Sequence, residues 1–271
     1  MLQRSPTYIA TQPAEDKLAI WLNKYLPKKT AFGINRWRKI RLQRFSYVFS
    51  RSYPNLLKTL LLKGVKAELG KDYDVSTHFN PSYDPWDQRL CLAPDGDFFK
   101  AVKSKKASVV TDHIETFTEN GIQLKSGKTL EADLIITATG LNATAVSNFP
   151  VEVDGKKVNF SETVAYKGIM FSDVPNMALV FGYTNASWTL KCDMVSQYVC
   201  RLVNHMDEKG YKQCCPRLND SNMELRPFLD FTPGYVMRVI DKLPKTGSKE
   251  PWKVEQNYFY DKKVLTKGAL E

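Results

Sequence analysis

Residues 131–141 read Glu-Ala-Asp-Leu-Ile-Ile-Thr-Ala-Thr-Gly-Leu, and this stretch constrains the fold more than any other. Leu134, Ile135 and Ile136 form an unbroken apolar run of the kind that a strand buried on both faces requires. The run stops at Thr139-Gly140. A glycine directly after a buried strand permits a positive φ and lets the backbone approach a ligand or another chain segment closely. An ordinary strand followed by a turn fits the same residues, so taken alone they leave both readings open.

Composition bounds the class. With 271 residues, 43% hydrophobic and 25% charged, the chain can bury one large core or two modest ones, as an ordinary globular protein does. The longest apolar candidate, residues 56–65, is broken by Lys58, Lys63 and Gly64, well short of the 18 or so apolar residues of a membrane span. The N-terminus carries no secretory hydrophobic region with a cleavage site, so a cytoplasmic location is expected. The five cysteines (Cys91, Cys192, Cys200, Cys214, Cys215) include no Cys-x-x-Cys pair, and the three histidines are scattered. That argues against a zinc site and a disulfide framework, and no metal is expected. Cys192 and Cys200 read as core positions on one helix.

The net charge of +10 is unevenly placed. Between Lys17 and Ala67 there is no acidic residue, while Lys28, Lys29, Arg36, Arg38, Lys39, Arg41, Arg44, Arg51, Lys58, Lys63 and Lys66 all fall there. Such a stretch can attract nucleic acid, anionic lipid or a phosphorylated cofactor. Trp37, Phe45, Tyr47, Phe49 and Tyr53 are interleaved with it. The preferred reading is a solvated basic helix face with these aromatics turned into the core. No nucleic-acid partner is expected, and residues 17–67 are where any peripheral membrane contact would occur.

The flanking segments carry a resemblance. The pattern acidic-x-Asp-apolar-apolar-apolar-x-Ala-Thr-Gly at 131–140 resembles a signature of the flavin-containing and Baeyer–Villiger monooxygenases. In that family the segment joins the nicotinamide and flavin domains and brings its glycine close to the flavin, which implies roles for Thr139 and Gly140. Gln3-Arg4-Ser5-Pro6 is similar to the strand end where the family grips the 2′-phosphate of NADPH, so Arg4 and Ser5 are the implied clamp. A guanidinium fork and a neighbouring hydroxyl suit a phosphate. Residues 77–91, Thr-His-Phe-Asn-Pro-Ser-Tyr-Asp-Pro-Trp-Asp-Gln-Arg-Leu-Cys, look like the loop of a Baeyer–Villiger-like subgroup. The Lys-Arg-Pro of better-known members is replaced there by Phe79-Asn80-Pro81, leaving Arg89 as the candidate catalytic arginine, with an ion pair to Asp87 or Asp95 as the alternative. Gly-Tyr-Thr-Asn-Ala-Ser-Trp-Thr at 182–189 is close to the subgroup pattern. There Asn185, Trp188 and Thr189 are the implied flavin-facing residues at the start of a helix.

The resemblance implies an α/β, Rossmann-like flavoprotein with two dinucleotide-binding domains. Neither G-x-G-x-x-G fingerprint of such proteins is present. The expectation is therefore an N-terminally truncated form: residues 1–140 as the remainder of an NADPH-binding domain with a small helical insertion at about 13–70, and residues 141–271 as the C-terminal part of an FAD-binding domain. The implied reaction is monooxygenation with FAD and NADPH. Hydride passes to FAD, a C4a-peroxyflavin forms with O2, and oxygen enters a small organic ketone, sulfide or amine. A fragment of this kind is expected not to bind FAD alone, and the alternatives are a non-catalytic remnant or a basic protein that binds nucleic acid or a membrane surface through residues 17–67.

Periodicity supplies the remaining elements. Helices are expected at 13–26, 34–50, 54–69, 98–102 and 234–243, with another leading out of residues 181–191 to about 206. Strands are expected at 108–111, 113–118, 122–124, 166–171 and 177–182. Turns are expected at 119–121, 126–128 and 153–156, with a charged tail from Pro244.

Overall fold

The computed structural model describes residues 1–88, 90–144, 146 and 150–270. The chain forms two compact units, Met1–Thr139 and Gly140–Glu271.

In the first unit β1 (Leu2–Gln3) and β2 (Ile9–Gln12) precede the helices α1 (Lys17–Tyr25), α2 (Lys28–Ser52), α3 (Pro54–Leu69) and α4 (Val75–Phe79). Then come β3 (Cys91–Pro94), α5 (Asp97–Lys103), β4 (Val110–Thr111), β5 (Ile114–Thr118), β6 (Gly121–Leu124) and β7 (Thr129–Glu131). Two parallel ladders, β1 with β4 and β2 with β3, stand beside an antiparallel β5–β6–β7 meander. The parallel pairing of β2 and β3 needs a long crossover, and the helices α1–α4 provide it. The core packs Val65 and Leu69 of α3 and Phe99 and Val102 of α5 against Ile9, Ala93 and Phe79. Phe79 and Phe99 meet at 6.0 Å between ring centroids.

Caps explain where these helices differ from the periodicity. The Asp16 carboxylate accepts from the Ala19 amide, so α1 begins at Lys17 and leaves Pro13 outside. Pro27 stands at the N-cap of α2, which therefore begins at Lys28 and runs on to Ser52, longer at both ends than the expected 34–50. The helix at 75–79 was hidden in a proline-rich loop, where the Asp74 side chain caps it through the Thr77 amide.

The strand expected at 134–136 does not form. Leu134 and Ile136 are 78% and 83% exposed. A strand buried on both faces needs a ladder partner, and β7 ends its meander at Glu131 while the parallel strands pair with one another. The aromatics of the basic helices also depart from expectation: Trp37, Phe45 and Tyr53 are 59%, 69% and 58% exposed.

The second unit contains β8 (Glu152–Val153), β9 (Lys156–Lys157), β10 (Ala165–Tyr166), β11 (Met170–Phe171), α6 (Trp188–Lys209), β12 (Leu225–Pro227), α7 (Gly234–Met237), β13 (Lys245–Gly247) and α8 (Tyr258–Lys267). Its ladders are the hairpins β8–β9 and β10–β11 and the pair β12–β13. Asp154 and Gly155, with φ of 51° and 76°, make the first tight turn. Lys167 and Gly168 interrupt the strand expected at 166–171 in the same way, with φ of 52° and 69°. Residues 177–182 form no ladder among the described residues, although the Leu179 amide donates to the Ile169 carbonyl at 2.7 Å. Residues 234–243 split into α7 and a 3-10 turn at Ile240–Lys242.

Leu190, Met194, Val195, Tyr198 and Leu202 form the buried face of α6. Cys192 and Cys200 fall off that face, half-buried and exposed respectively. The tail is structured: α8 packs on α6, with Leu265 fully buried. Arg201 of α6 donates to the Leu265 and Gly268 carbonyls, each at 3.0 Å, and so satisfies the C-terminal end of α8. Across the described residues the architecture is mixed helix and strand in short ladders, without a wide doubly wound sheet.

Candidate functional site

Residues 181–187 lead through a bend at 184–186 into α6. Gly182 is required there by packing, since a Cβ at this position would stand 2.2 Å from the Trp188 ring. The indole lies across the glycine backbone and tilts against Phe181 at 5.5 Å. Trp188 remains 47% exposed, so one edge of the stack faces outward.

Ser187 is the N-cap of α6, but no side chain caps the helix. Its hydroxyl bonds instead to Thr189 Oγ1 at 2.8 Å, and its carbonyl accepts from the Leu190 amide. The opening turn thus presents amides and the positive end of the helix dipole toward whatever stands before it. Thr184 and Asn185 are anchored from the tail: Gln256 Oε1 accepts from the Thr184 amide at 3.0 Å, and the Asn185 amide side chain donates to the Gln256 carbonyl at 3.1 Å.

Beneath this turn lies a buried polar cluster that sequence reading missed. Lys191 Nζ stands 2.9 Å from Asp261 Oδ2, with both side chains nearly inaccessible. The Tyr183 hydroxyl donates to the same Oδ2 at 2.6 Å. Burial raises the pKa of Tyr183, and the Asp261 charge raises it further. Burial lowers that of Lys191 by more than the Asp261 carboxylate raises it. Tyr183 lies inside the motif at 182–189 and Lys191 just after it, but Asp261 sits on a helix that looked like tail, and no local signal joins them.

In the first unit Arg4 and Ser5 follow directly on β1, at the carboxyl end of a parallel strand, and both are exposed. That is the edge of a parallel sheet where phosphates and dinucleotides bind. The loop after α4 is tied down on several sides. The Tyr8 hydroxyl donates to the Tyr83 carbonyl at 2.8 Å, Lys58 Nζ donates to the Pro81 carbonyl at 3.1 Å, and Arg51 pairs with Asp87. Trp86 adopts φ of 75° and meets Tyr47 edge-on at 5.8 Å. Asp95 accepts from the Ala14 amide at 3.0 Å. Arg89, the candidate catalytic residue, lies outside the described residues. Thr139 is exposed, and Gly140 has φ of 99° with open space around it. Among the described residues no cluster of His, Cys, Asp and Glu could hold a metal ion.

No protein-family model matches the chain. Individual relatives do. The chain is 49% identical over 265 residues to a protein of Mycolicibacterium smegmatis named FAD-containing monooxygenase EthA, covering 98% of this chain and 54% of that protein. It is 48% identical over 271 residues to the EthA of Mycobacterium tuberculosis, covering 100% and 55%. A protein of Acinetobacter baylyi named "Probable FAD-binding monooxygenase AlmA" is 47% identical over 272 residues, covering 100% and 54%. The chain spans about half the length of the curated relatives it matches.

Proposed function

We propose, on the premise that the chain is related along its whole length to proteins named FAD-containing monooxygenases, that it carries out flavin-dependent monooxygenation with FAD and NADPH on a two-dinucleotide-binding-domain scaffold. FAD, when bound, supplies hydride acceptance and O2 activation, with NADPH as hydride source and a small ketone, sulfide or amine as oxygen acceptor. The chain's own residues bind and orient. The observation that carries the reading is the start of α6, where the opening amides lack a side-chain cap and stand beside the Gly182–Trp188 stack. An electron-rich ring edge fits that end of a helix dipole. Asn185 and Thr189 would add polar contacts, and Thr139 and Gly140 an open stretch of backbone. The Lys191–Asp261–Tyr183 cluster holds the turn from below and is a positioning group.

Arg4 and Ser5 would grip the 2′-phosphate, which supports NADPH over NADH. Among the described residues no ion pair occupies the Arg4 guanidinium. Arg89 is the proposed group for stabilising negative charge near the reacting oxygen. The five free cysteines and the NADPH requirement fit a cytoplasmic protein.

A chimera tests the reading: this chain replaces the matched 265 residues of the M. smegmatis EthA. The expected product retains FAD after desalting and oxidises NADPH in preference to NADH. Arg4→Ala should remove most of that preference, since a charge-assisted phosphate contact contributes about 1.5–3 kcal/mol, roughly 10- to 150-fold. A chimera with native-like circular dichroism that holds no flavin would refute the proposal.

A further inference from the structure

The basic helices expose apolar faces that the fold leaves uncovered. Along α2, Ile34, Trp37, Arg41, Phe45 and Val48 recur at helical spacing and so share one face. Trp37 and Phe45 are 59% and 69% exposed, and Ile34 and Val48 are exposed with them. The opposite face makes the tertiary contacts: Ser50 is buried, and Tyr47 and Arg51 reach the loop at 84–88. On α1, Trp21 and Tyr25 stack at 5.3 Å and are 54% and 60% exposed. Asp16 at the head of α1 pairs with Arg38 and Lys39 of α2, which fixes the two helices to each other.

Charge identifies what would cover these faces. Residues 17–67 hold 13 Lys and Arg and no Asp or Glu. The Arg41 guanidinium lies 4.4 Å over the Trp37 ring, a cation set directly on the apolar stripe. Lys17, Lys24, Lys28 and Lys29 are exposed along the same two helices. A second copy would bring like charge against like charge. Nucleic acid would satisfy the cations and stack on the aromatics, but the exposed aliphatic residues Ile20, Ile34, Leu42 and Val48 offer it nothing. A lipid surface satisfies all three sets: anionic headgroups meet Lys and Arg, aromatic rings sit at the interface, and aliphatic side chains enter the acyl boundary. No described helix is long and apolar enough to cross a membrane.

We infer that α1 and α2 dock the protein on an anionic membrane surface, lying in the interface with the Trp37–Phe45 stripe inward. This holds whatever reaction the protein performs.

The test is co-sedimentation of the full chain with phosphatidylcholine vesicles with and without phosphatidylglycerol, at low and high salt, alongside tryptophan emission. Binding is expected only to the anionic vesicles, with a blue shift and release at high salt. Arg41→Ala, which removes the cation on the stripe itself, should weaken binding about fivefold, the effect of one interfacial cation. Trp37→Ala with Phe45→Ala changes exposed positions only, so circular dichroism should be unaltered while vesicle binding and the blue shift fall at least tenfold. Failure to bind anionic vesicles at low salt would overturn the inference. So would unchanged binding by the aromatic double variant, tighter binding to an oligonucleotide than to vesicles, or a concentration-dependent dimer that protects Trp37.

Discussion

Asp261→Asn probes the buried cluster beneath the α6 turn most directly. The side chains of Lys191 and Asp261 are only 5% and 6% exposed, and they meet at 2.9 Å. Neutralising Asp261 leaves the Lys191 ammonium buried without its counter-charge, a loss of about 3–5 kcal/mol for truncating one member of a buried pair. Asp261→Ala should cost about 1–3 kcal/mol more, because the Tyr183 hydroxyl also loses its 2.6 Å acceptor. Replacing the whole cluster by Lys191→Met, Asp261→Leu and Tyr183→Phe removes charge, counter-charge and orphaned hydroxyl together. That triple variant should return to within about 2 kcal/mol of the parent. Urea unfolding followed by tryptophan fluorescence and circular dichroism measures all three. The pH dependence adds a sign. The folded pKa of Lys191 lies below 10.5, so its burial penalty is fully present at low pH. As pH rises through the folded value toward 10.5 the unfolded chain holds more protons, and stability increases. Asp261→Asn withdraws an upward influence on Lys191, so the rise should begin nearer neutrality. A cost below about 1 kcal/mol for Asp261→Asn, or a triple variant as damaged as the sum of its parts, would refute the reasoning.

Gly182→Ala puts a Cβ 2.2 Å from the Trp188 ring, so it should cost about 1–3 kcal/mol or expel the indole, read as a red shift in emission. Leu134→Gln with Ile136→Gln should change stability by less than about 0.5 kcal/mol each, as for exposed positions; a loss of several kcal/mol would mean that the run is buried. The Tyr8 hydroxyl is pushed up to about 12 by burial, with Asp84 adding to the effect. The unfolded chain ionises first at about 10, so stability should fall between pH 10 and 12, and Tyr8→Phe should flatten that fall. Asp16 is held well below its ordinary 3.8 by Lys39, the Ala19 amide and Arg38. Its contribution is complete above that value and should be lost as pH drops below it, seen as fraying of α1 that Asp16→Asn makes insensitive to pH.

Much of the local structure was legible because its causes are local. Pro54 opens α3, Asp97 opens α5, and Gly121 and Gly155 permit the turns that the sequence marks. Trp188 begins α6 where the run of Thr, Asn and Ser stops. The features that escaped depend on distant partners. Asp261 acquires its meaning from Lys191, 70 positions earlier, and α8 from its packing on α6. The broken strand at Lys167-Gly168 turns on two positive φ values, one of them at a lysine that gives no warning of it. The homology, in contrast, was legible at short range, because the patterns at 131–140 and 182–189 are dense enough to identify related chains before any fold is known.

The two errors about burial share one cause and separate on chemistry. Hydrophobic periodicity establishes that an apolar face exists; it does not say what covers it. The run at 134–136 and the stripe on α2 were both assigned to an interior, and both are exposed. A helix bonds its own backbone, so α2 can leave one face open to a foreign surface at no cost in unpaired amides. An extended run cannot, because its amides and carbonyls need a ladder on each side. Residues 132–144 carry one acid and no Lys or Arg, whereas residues 17–67 carry cations throughout. The uncharged run therefore suits a strand between other strands, and the charged stripe suits a charged boundary.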